Sequence, residues 1–403
     1  MENLNHQTPA KIIFEKVKIL NKALIPFPIS NEEWVDDFLS NLTPDSQFAR
    51  QWTDQTTFSN SLEEISMEEF QLGIQKLKKK SPGLDETLYQ FITEASPKAQ
   101  TYLLNIFNYT LMSKTIPESW KNIKIFTLLK KNATPNTYTS YRPIGIISVY
   151  RKLFERIILH RLEYFLEKNH SLSPFQYGFR KGKNIYGNLI HISTHAYAAI
   201  GDKLYMPTIF LDIKNAYNNV NYQILYNKLL EIGVDPDLAK IIFNLISNNK
   251  IFISVNRKLW GPRRLALGLT QGGILSPLLY LIYSAHLHKC LLYAGISEFA
   301  DDIVIFMLHK NLEEAVDLLL EDLRRLNSVL FLLGLELSIP KIQAIIFSNR
   351  RVPQNFSFNI DNIVIPFSDN ARYLGLIFNK KMKWDEHLKH IKHKIYSKLN
   401  VLT

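Results

Sequence analysis

One cysteine, Cys290, stands in a chain of 403 residues. No disulfide can close within the chain, and no zinc site needing two or more cysteine ligands can form. Long hydrophobic runs are missing too. The stretch ILSPLLYLIY (274–283) is too short and too broken to span a bilayer. The opening residues MENLNHQTPAKIIFEKVKIL lack the apolar centre of a signal peptide. A secreted or membrane protein is therefore not expected. The reading is of an intracellular chain, with nucleus and cytoplasm left open. No internal repeat and no low-complexity tract interrupts the sequence.

What is present has globular proportions. Hydrophobic residues make up 46% and charged residues 21%, which argues against global disorder. The length suits two or three domains, or one large body with subdomains. Lys and Arg number 48 against 37 Asp and Glu, a net charge of +11. That excess favours a polyanionic partner such as nucleic acid.

Residues 1–70 read as helical pieces broken at IPFPIS (25–30) and TPDS (43–46). A helical pattern from Ser66 leads to the lysine-rich loop KLKKKSPGLDE (76–86), and residues 98–115 read as a buried helix. IKIFTLLKK (123–131) alternates as a strand does, and 148–168 read as an amphipathic helix. The middle reads as strand-rich. MPTIFLDI (206–213) is an apolar run ending at an aspartate, and IFISVN with RRLALGL reads as a hairpin around Trp260-Gly261-Pro262. EFADDIVIFM (298–307) is a second hairpin, between a buried helix (274–287) and a long amphipathic one (312–333). AIIFSN (344–349) and YLGLIF (373–378) read as single strands, and a helix begins at 385. Strands separated by helices, with hairpins among them, predict an α+β fold.

Asp212, Asp301 and Asp302 sit at the edges of apolar strands. Burying such charges is costly without a compensating cation. Adjacent Asp301 and Asp302 also repel. Carboxylates suit Mg²⁺, and two such ions can drive phosphoryl transfer by activating an attacking oxygen and neutralising a leaving one. On the triplet alone, a solvated Asp-Asp turn and one unrelated aspartate fit equally.

The surrounding wording is more specific. Phe299-Ala300-Asp301-Asp302 between apolar strands resembles the catalytic box of reverse transcriptases, with Phe where Tyr is commonest. FLDIKNAYNNVN (210–221) resembles their first carboxylate motif, and GLTQGGILSPLLYLIY (268–283) their Gln-Gly motif. In matching order stand WKNIKIFTLLKK (120–131), YRPIGIISVYRKLFERIILHRL (141–162), QYGFRKGKN (176–184), LGLELSIPKIQAIIFS (333–348) and ARYLGLIFNKKMKWDEHL (371–388). From about Lys76 to about Lys394 the series resembles the reverse transcriptase of non-LTR (LINE-type) retrotransposons, the Jockey-like elements in particular.

That resemblance implies roles. Asp212 and Asp301 would bind both of two Mg²⁺ ions (or Mn²⁺), with Asp302 supporting and the Ile213 carbonyl completing one shell. Tyr217 matches the aromatic gate that excludes a ribose 2′-OH; a plain cap or core tyrosine is the alternative. Gln271 and Gly272 would lie against the nascent base pair and template, with Gly273 where many relatives carry Ser. Among Lys130, Lys131 and Arg142, one or two would hold the incoming triphosphate. Arg180 and Lys181 would contact template backbone, and Phe299 would face nucleic acid. Lys341 matches the lysine proposed to protonate the leaving pyrophosphate. Asn218 replaces a second carboxylate that is not a metal ligand in the family.

The histidines His387, His390 and His393 are read as part of a basic helix facing nucleic acid, not as a zinc site. His286, His288 and Cys290 are read as packing. The resemblance implies a right-hand polymerase fold with fingers and palm, the palm an antiparallel sheet backed by helices, and a thumb largely absent. An N-terminal extension would occupy 1–70, the reverse transcriptase domain 71–385, and the start of a truncated thumb 386–403. Fingers would cover about 71–205 and return at about 260–290. The expected partners are an RNA template, a DNA primer and dNTPs, with no membrane. With no endonuclease or RNase H segment recognised, a fragment of a longer reading frame is expected. A catalytically inactive nucleic-acid-binding remnant and a group II intron-type maturase are the rival readings.

Overall fold

The computed structural model describes residues 32–43, 62–77, 81–130, 134, 137–255, 258–353, 356–360 and 363–399. The helical pieces expected within 1–31 and 44–61, the lysines 78–80 and Lys131 lie outside the described residues.

Among the described residues the first strand is preceded by α1 (Glu32–Leu42), α2 (Met67–Gln75) and α3 (Pro97–Ser113), with a single helical turn at Gln90–Thr93 between the last two. Helix α2 starts in a reciprocal cap, the Ser66 hydroxyl accepting from the Glu69 amide and the Glu69 carboxylate from the Ser66 amide. The helix expected to be buried, α3, is buried on one face only. Leu104, Phe107 and Leu111 point inward while Tyr102, Ile106 and Tyr109 are exposed.

Strands β1 (Asn122–Leu129) and β2 (Tyr141–Ile146) lead into α4 (Val149–Lys168) and α5 (Ile185–Gly201). After β3 (Met206–Asp212) come α6 (Tyr222–Glu231) and α7 (Pro236–Ile246), then β4 (Lys250–Val255) and β5 (Lys258–Arg264). The middle of the chain is thus richer in helix than expected. Helices α6 and α7 open on Asn221 and Asp235, whose side chains accept from amides of the first turn.

The first sheet has the order β2-β1-β4-β5, with β1 and β4 parallel. Alternation decides its faces. Ile123 and Ile125 of β1 join Ile251 and Ile253 of β4 under Trp34, Val35, Phe38 and Leu39 of α1, while Phe126 and Leu128 point outward. The chain returns to this sheet at Lys250. Its hairpin turns elsewhere than expected: Val255 pairs with Lys258 and Ile253 with Trp260. Trp260-Gly261-Pro262 therefore lies inside the second strand, where the register shifts, and not at the turn.

Helix α8 (Ser276–Tyr283) precedes the hairpin β6 (Gly295–Phe299) and β7 (Asp302–Phe306), and α9 (Leu312–Leu332) follows. Next come β8 (Gln343–Phe347), β9 (Ser357–Ile360), β10 (Ile363–Ser368), β11 (Asn370–Tyr373), β12 (Leu376–Asn379) and α10 (Asp385–Leu399). The second sheet runs β6-β7-β3-β8-β10-β9. Its strands β6, β7, β3 and β8 are antiparallel neighbours, while β10 joins β8 in parallel over two residue pairs. YLGLIF is not one strand but a hairpin, β11 with β12.

Strand β3 is buried along its length except at Asp212. Ile209 and Leu211 face the main core with Leu319 and Leu323 of α9, while Met206 and Phe210 face Ile192 and Ala196 of α5. A strand covered on both faces reads as a continuous apolar run, as MPTIFL does. The first polar residue then falls where the cover ends.

Candidate active site

Asp212 ends β3, and Asp302 begins β7 as its direct cross-strand partner. Asp301 precedes Asp302 at the tip of the β6–β7 hairpin, where Phe299 pairs with Asp302. The topology therefore gathers all three aspartates at one sheet end. Burial pushes the Asp302 carboxyl up to about 7, and the Asp301 and Asp212 charges push the same way while Lys341 opposes. Burial also raises Asp301, against the pull of its own backbone amide. Three acids crowded like this call for a cation.

In this structure Lys341 supplies one. Its Nζ lies 2.8 Å from Asp212 Oδ2. The turn Ile339–Lys341 is held there by the Ser338 amide donating to the Asp212 carbonyl at 2.8 Å. Among the described residues no three carboxylate, imidazole or thiolate groups converge as a metal cage. Mg²⁺ asks for less, since it takes one or two carboxylates and completes its shell with water and substrate phosphates. The donor set fits a divalent ion shared with a bound substrate, with the Lys341 ammonium marking the place of the positive charge.

Asp212 and Asp301 open on a cleft also lined by Lys130, Arg142, Ile213, Tyr217, Gln271, Gly272 and Lys341, while Asp302 lines a neighbouring hollow with Asp212, Lys341 and Tyr373. Most of the expected site residues are thus brought together. Burial lowers the Lys130 ammonium pKa, and the nearby Lys341 and Arg142 charges lower it further. Tyr217 sits in a short 3-10 turn (Ala216–Asn219), and its ring stacks on Tyr280 at 5.1 Å between centroids and 15° between planes. Burial raises its hydroxyl pKa, and the charge of Asp301 adds to that.

The Gln271-Gly272 loop is wedged between two backbones. The Gly145 amide of β2 donates to the Gln271 carbonyl at 2.6 Å, and Gln271 Nε2 donates to Asn218 Oδ1 at 3.3 Å. Gly272 has φ +111°, and a Cβ there would lie 2.6 Å from the Gly145 carbonyl oxygen. Only glycine fits both constraints. Gly273 faces the Ser276 hydroxyl, which a Cβ would meet at 2.6 Å.

Two of the expected site residues stand apart from this cleft. Arg180 does not point at the cleft. Its guanidinium makes a bidentate pair with Glu167 at 2.9 and 2.7 Å and donates to the Ser173 carbonyl at 2.8 Å, leaving the side chain 8% exposed. A guanidinium so occupied is a structural tie, and of the pair only Lys181 is exposed. Phe299 is half-buried in the hairpin and does not line the cleft.

Other residues had no distinguishing signal. Phe38, Asn41 and Leu42 of α1, Tyr138 just before β2 and Tyr141 at its start also line the cleft. Glu155 of α4 accepts from the Ile274 and Leu275 amides at 2.8 and 3.3 Å, fixing the end of the Gln-Gly loop. Glu155 is itself paired with buried Arg151 at 2.7 Å. The loop 81–85 docks on α4, with Ser148 Oγ donating to Asp85 Oδ2 at 2.5 Å.

A strand-end aspartate facing an Asp-Asp hairpin, in a sheet backed by helices and beside a glycine-rich loop, defines a polymerase of the right-hand class. The family model described as "Reverse transcriptase (RNA-dependent DNA polymerase)" matches residues 128–378, and the chain belongs to that family. It is 26% identical over 347 residues to the probable RNA-directed DNA polymerase from transposon BS of Drosophila melanogaster, covering 84% of this chain and 38% of that protein. It is 26% identical over 357 residues to the RNA-directed DNA polymerase from mobile element jockey of Drosophila funebris, covering 86% and 38%. A retrovirus-related Pol polyprotein from type-1 retrotransposable element R2 of Popillia japonica is 26% identical over 341 residues, covering 78% and 45%. These relatives bear out the expected non-LTR, Jockey-like class. The chain spans less than half the length of each. Among solved structures, apo telomerase from Candida tropicalis, truncated from the C-terminal domain, aligns at a TM-score of 0.47 and 13% identity, over 67% of this chain and 55% of that one. Among the described residues no helix is long and apolar enough to cross a membrane. The family is in general dependent on a divalent metal and works on a template and primer.

Proposed function

We propose that this chain is an RNA-directed DNA polymerase that extends a primer 3′-OH with dNTPs on an RNA template. The observation that carries this is the in-register pairing of Asp212 with Asp302, with Asp301 beside them over a cleft that also holds Lys130, Arg142, Tyr217 and Gln271. In this reading the first sheet belongs to the fingers and the second to the palm, within 71–385, with α1 part of an N-terminal extension and α10 the start of the thumb.

Asp212 and Asp301, with Asp302 and the Ile213 carbonyl, would hold two Mg²⁺ ions. Such ions supply charge neutralisation at the attacking and leaving oxygens. The protein's own groups do the rest. Lys130 and Arg142 take the triphosphate, Arg142 through its planar fork and Lys130 as a point charge. Tyr217, held flat on Tyr280, closes the space a 2′-OH would need. Gln271 and Gly272 offer a surface the template base can approach closely. Lys341, beside Asp212, would give its proton to the leaving pyrophosphate. Lys181 contacts nucleic-acid backbone.

The test is primer extension on an RNA template with an annealed DNA primer, dNTPs and Mg²⁺, with an Asp301→Asn, Asp302→Asn double variant as control. Synthesis by the parent and none by the double variant is the expected result. A parent that binds template-primer but never extends it would overturn the assignment.

A further inference from the structure

The Asp-Asp hairpin is held from outside its own sheet. Ala300, the first residue of its tip, has φ +57°, in the left-handed region that favours glycine. The segment Phe175–Tyr177 lies parallel along the open edge of β6, with the Glu298 amide donating to the Phe175 carbonyl at 3.0 Å and the Tyr177 amide to the Glu298 carbonyl at 2.8 Å. Between those contacts Gln176 is 2% exposed, and its side chain reaches the tip. Gln176 Oε1 accepts from the Ala300 amide at 2.8 Å, and Nε2 donates to the Ala300 carbonyl at 3.3 Å. The same Oε1 accepts from the Gly178 amide at 2.8 Å. A Cβ on Gly178 would lie 2.5 Å from the Ala300 nitrogen, so glycine is needed for the approach.

We infer that Gln176 is a positioning residue for Asp301 and Asp302, its amide acting as a clamp on both backbone groups of the strained Ala300. The inference rests on the polymerase reading for its kinetic consequence, but not for its geometry. A primary amide offers an acceptor and a donor side by side on one planar group, in the manner of a neighbouring strand. A carboxylate at the same place would keep the acceptor, lose the donor, and add charge beside Asp301. Without the clamp the hairpin keeps its strand pairing, but its tip is free to leave the left-handed conformation, and the carboxylates move with it.

Four measurements test this. In metal-free full-length protein, Gln176→Ala should speed hydrogen exchange of the Ala300 amide by tenfold or more and leave the amides of β3 unchanged. In primer extension, Gln176→Ala should lower kcat about 10- to 100-fold, with KM for dNTP nearly constant, as loss of a supporting contact does. Gln176→Glu should lose at least as much while still folding. Placing Ala300→Gly in the Gln176→Ala protein should restore most of kcat, because glycine holds a positive φ without help. Unchanged exchange at Ala300 in Gln176→Ala would overturn the clamp. So would a kcat loss that Ala300→Gly does not relieve, since that pattern marks a general packing defect. A parent without synthesis would overturn the polymerase reading instead, and the exchange experiment would still decide the clamp.

Discussion

Glu298 shows how a buried acid near the hairpin can be read by pH. It is 1% exposed in β6, and its carboxylate accepts a hydrogen bond from Ser173. Burial pushes its pKa from the ordinary 4.5 up to about 7, with Ser173 and Lys183 pulling the other way. The folded state therefore holds the proton more tightly than the unfolded chain. Its contribution to stability is full below about 4.5 and is lost as pH rises through about 7. A shift of this size corresponds to roughly 3 kcal/mol in all. Glu298→Gln keeps an acceptor for Ser173 and cannot ionise. Urea unfolding should show the parent losing about 2 kcal/mol more than the variant between pH 5 and pH 8. Asp302 titrates in the same window and cancels in the difference. Parallel stability curves would mean that Glu298 stays ionised in the folded protein.

At the scale of elements, α4 is the tie between the two sheets. Arg151, on its first turn, is 2% exposed and donates to Glu155, to the Trp120 and Leu245 carbonyls and to Asn249. Glu155 in turn caps the segment entering α8. Arg151→Met leaves a buried carboxylate without its cation and should cost about 3–5 kcal/mol in urea unfolding. An Arg151→Met, Glu155→Gln double variant should lose less than that, because no bare charge stays buried. A single-variant cost below about 1 kcal/mol would show that water reaches the pair. Beyond the four-residue spacing of Arg151 and Glu155, none of this was legible in the sequence, which displays α4 as amphipathic with basic residues among apolar ones. The partners of Arg151 come from residues as far away as Asn249, and period alone cannot see them. For the same reason Arg180 read as a nucleic-acid contact while its partner was Glu167. Strand β3 and the Asp-Asp hairpin were legible, because a doubly covered strand writes an unbroken apolar run and ends at its first carboxylate. The β11–β12 hairpin was not. Its turn residues Leu374 and Gly375 both have positive φ, and leucine in that conformation gives no turn signal. The misplaced turn at Trp260-Gly261-Pro262 has a kindred cause, a register shift inside β5 that mimics punctuation.

Charge is the property of the whole molecule that bears on function. The net +11 spreads over a chain whose cleft gathers Lys130, Arg142 and Lys341 around the aspartates. Binding to a template-primer should therefore weaken linearly in log K against log salt, each phosphate contact adding about 0.7–0.9 to the slope. The structure separates the two basic residues that the sequence pairs. Exposed Lys181 should behave as a phosphate contact, so Lys181→Ala should reduce the slope by about 1 and leave urea stability unchanged. Arg180→Ala should do the reverse. It breaks the bidentate pair with Glu167 and frees the Ser173 carbonyl, so stability should fall while the salt slope holds. Ser173 also donates to Glu298 on β6, so the loosened segment is the one that carries Gln176 to the hairpin. Arg180→Ala should therefore speed exchange at Ala300 as well, at a distance from any nucleic acid. A lowered slope in Arg180→Ala with stability intact would return Arg180 to the template and leave the hairpin support to Gln176 alone.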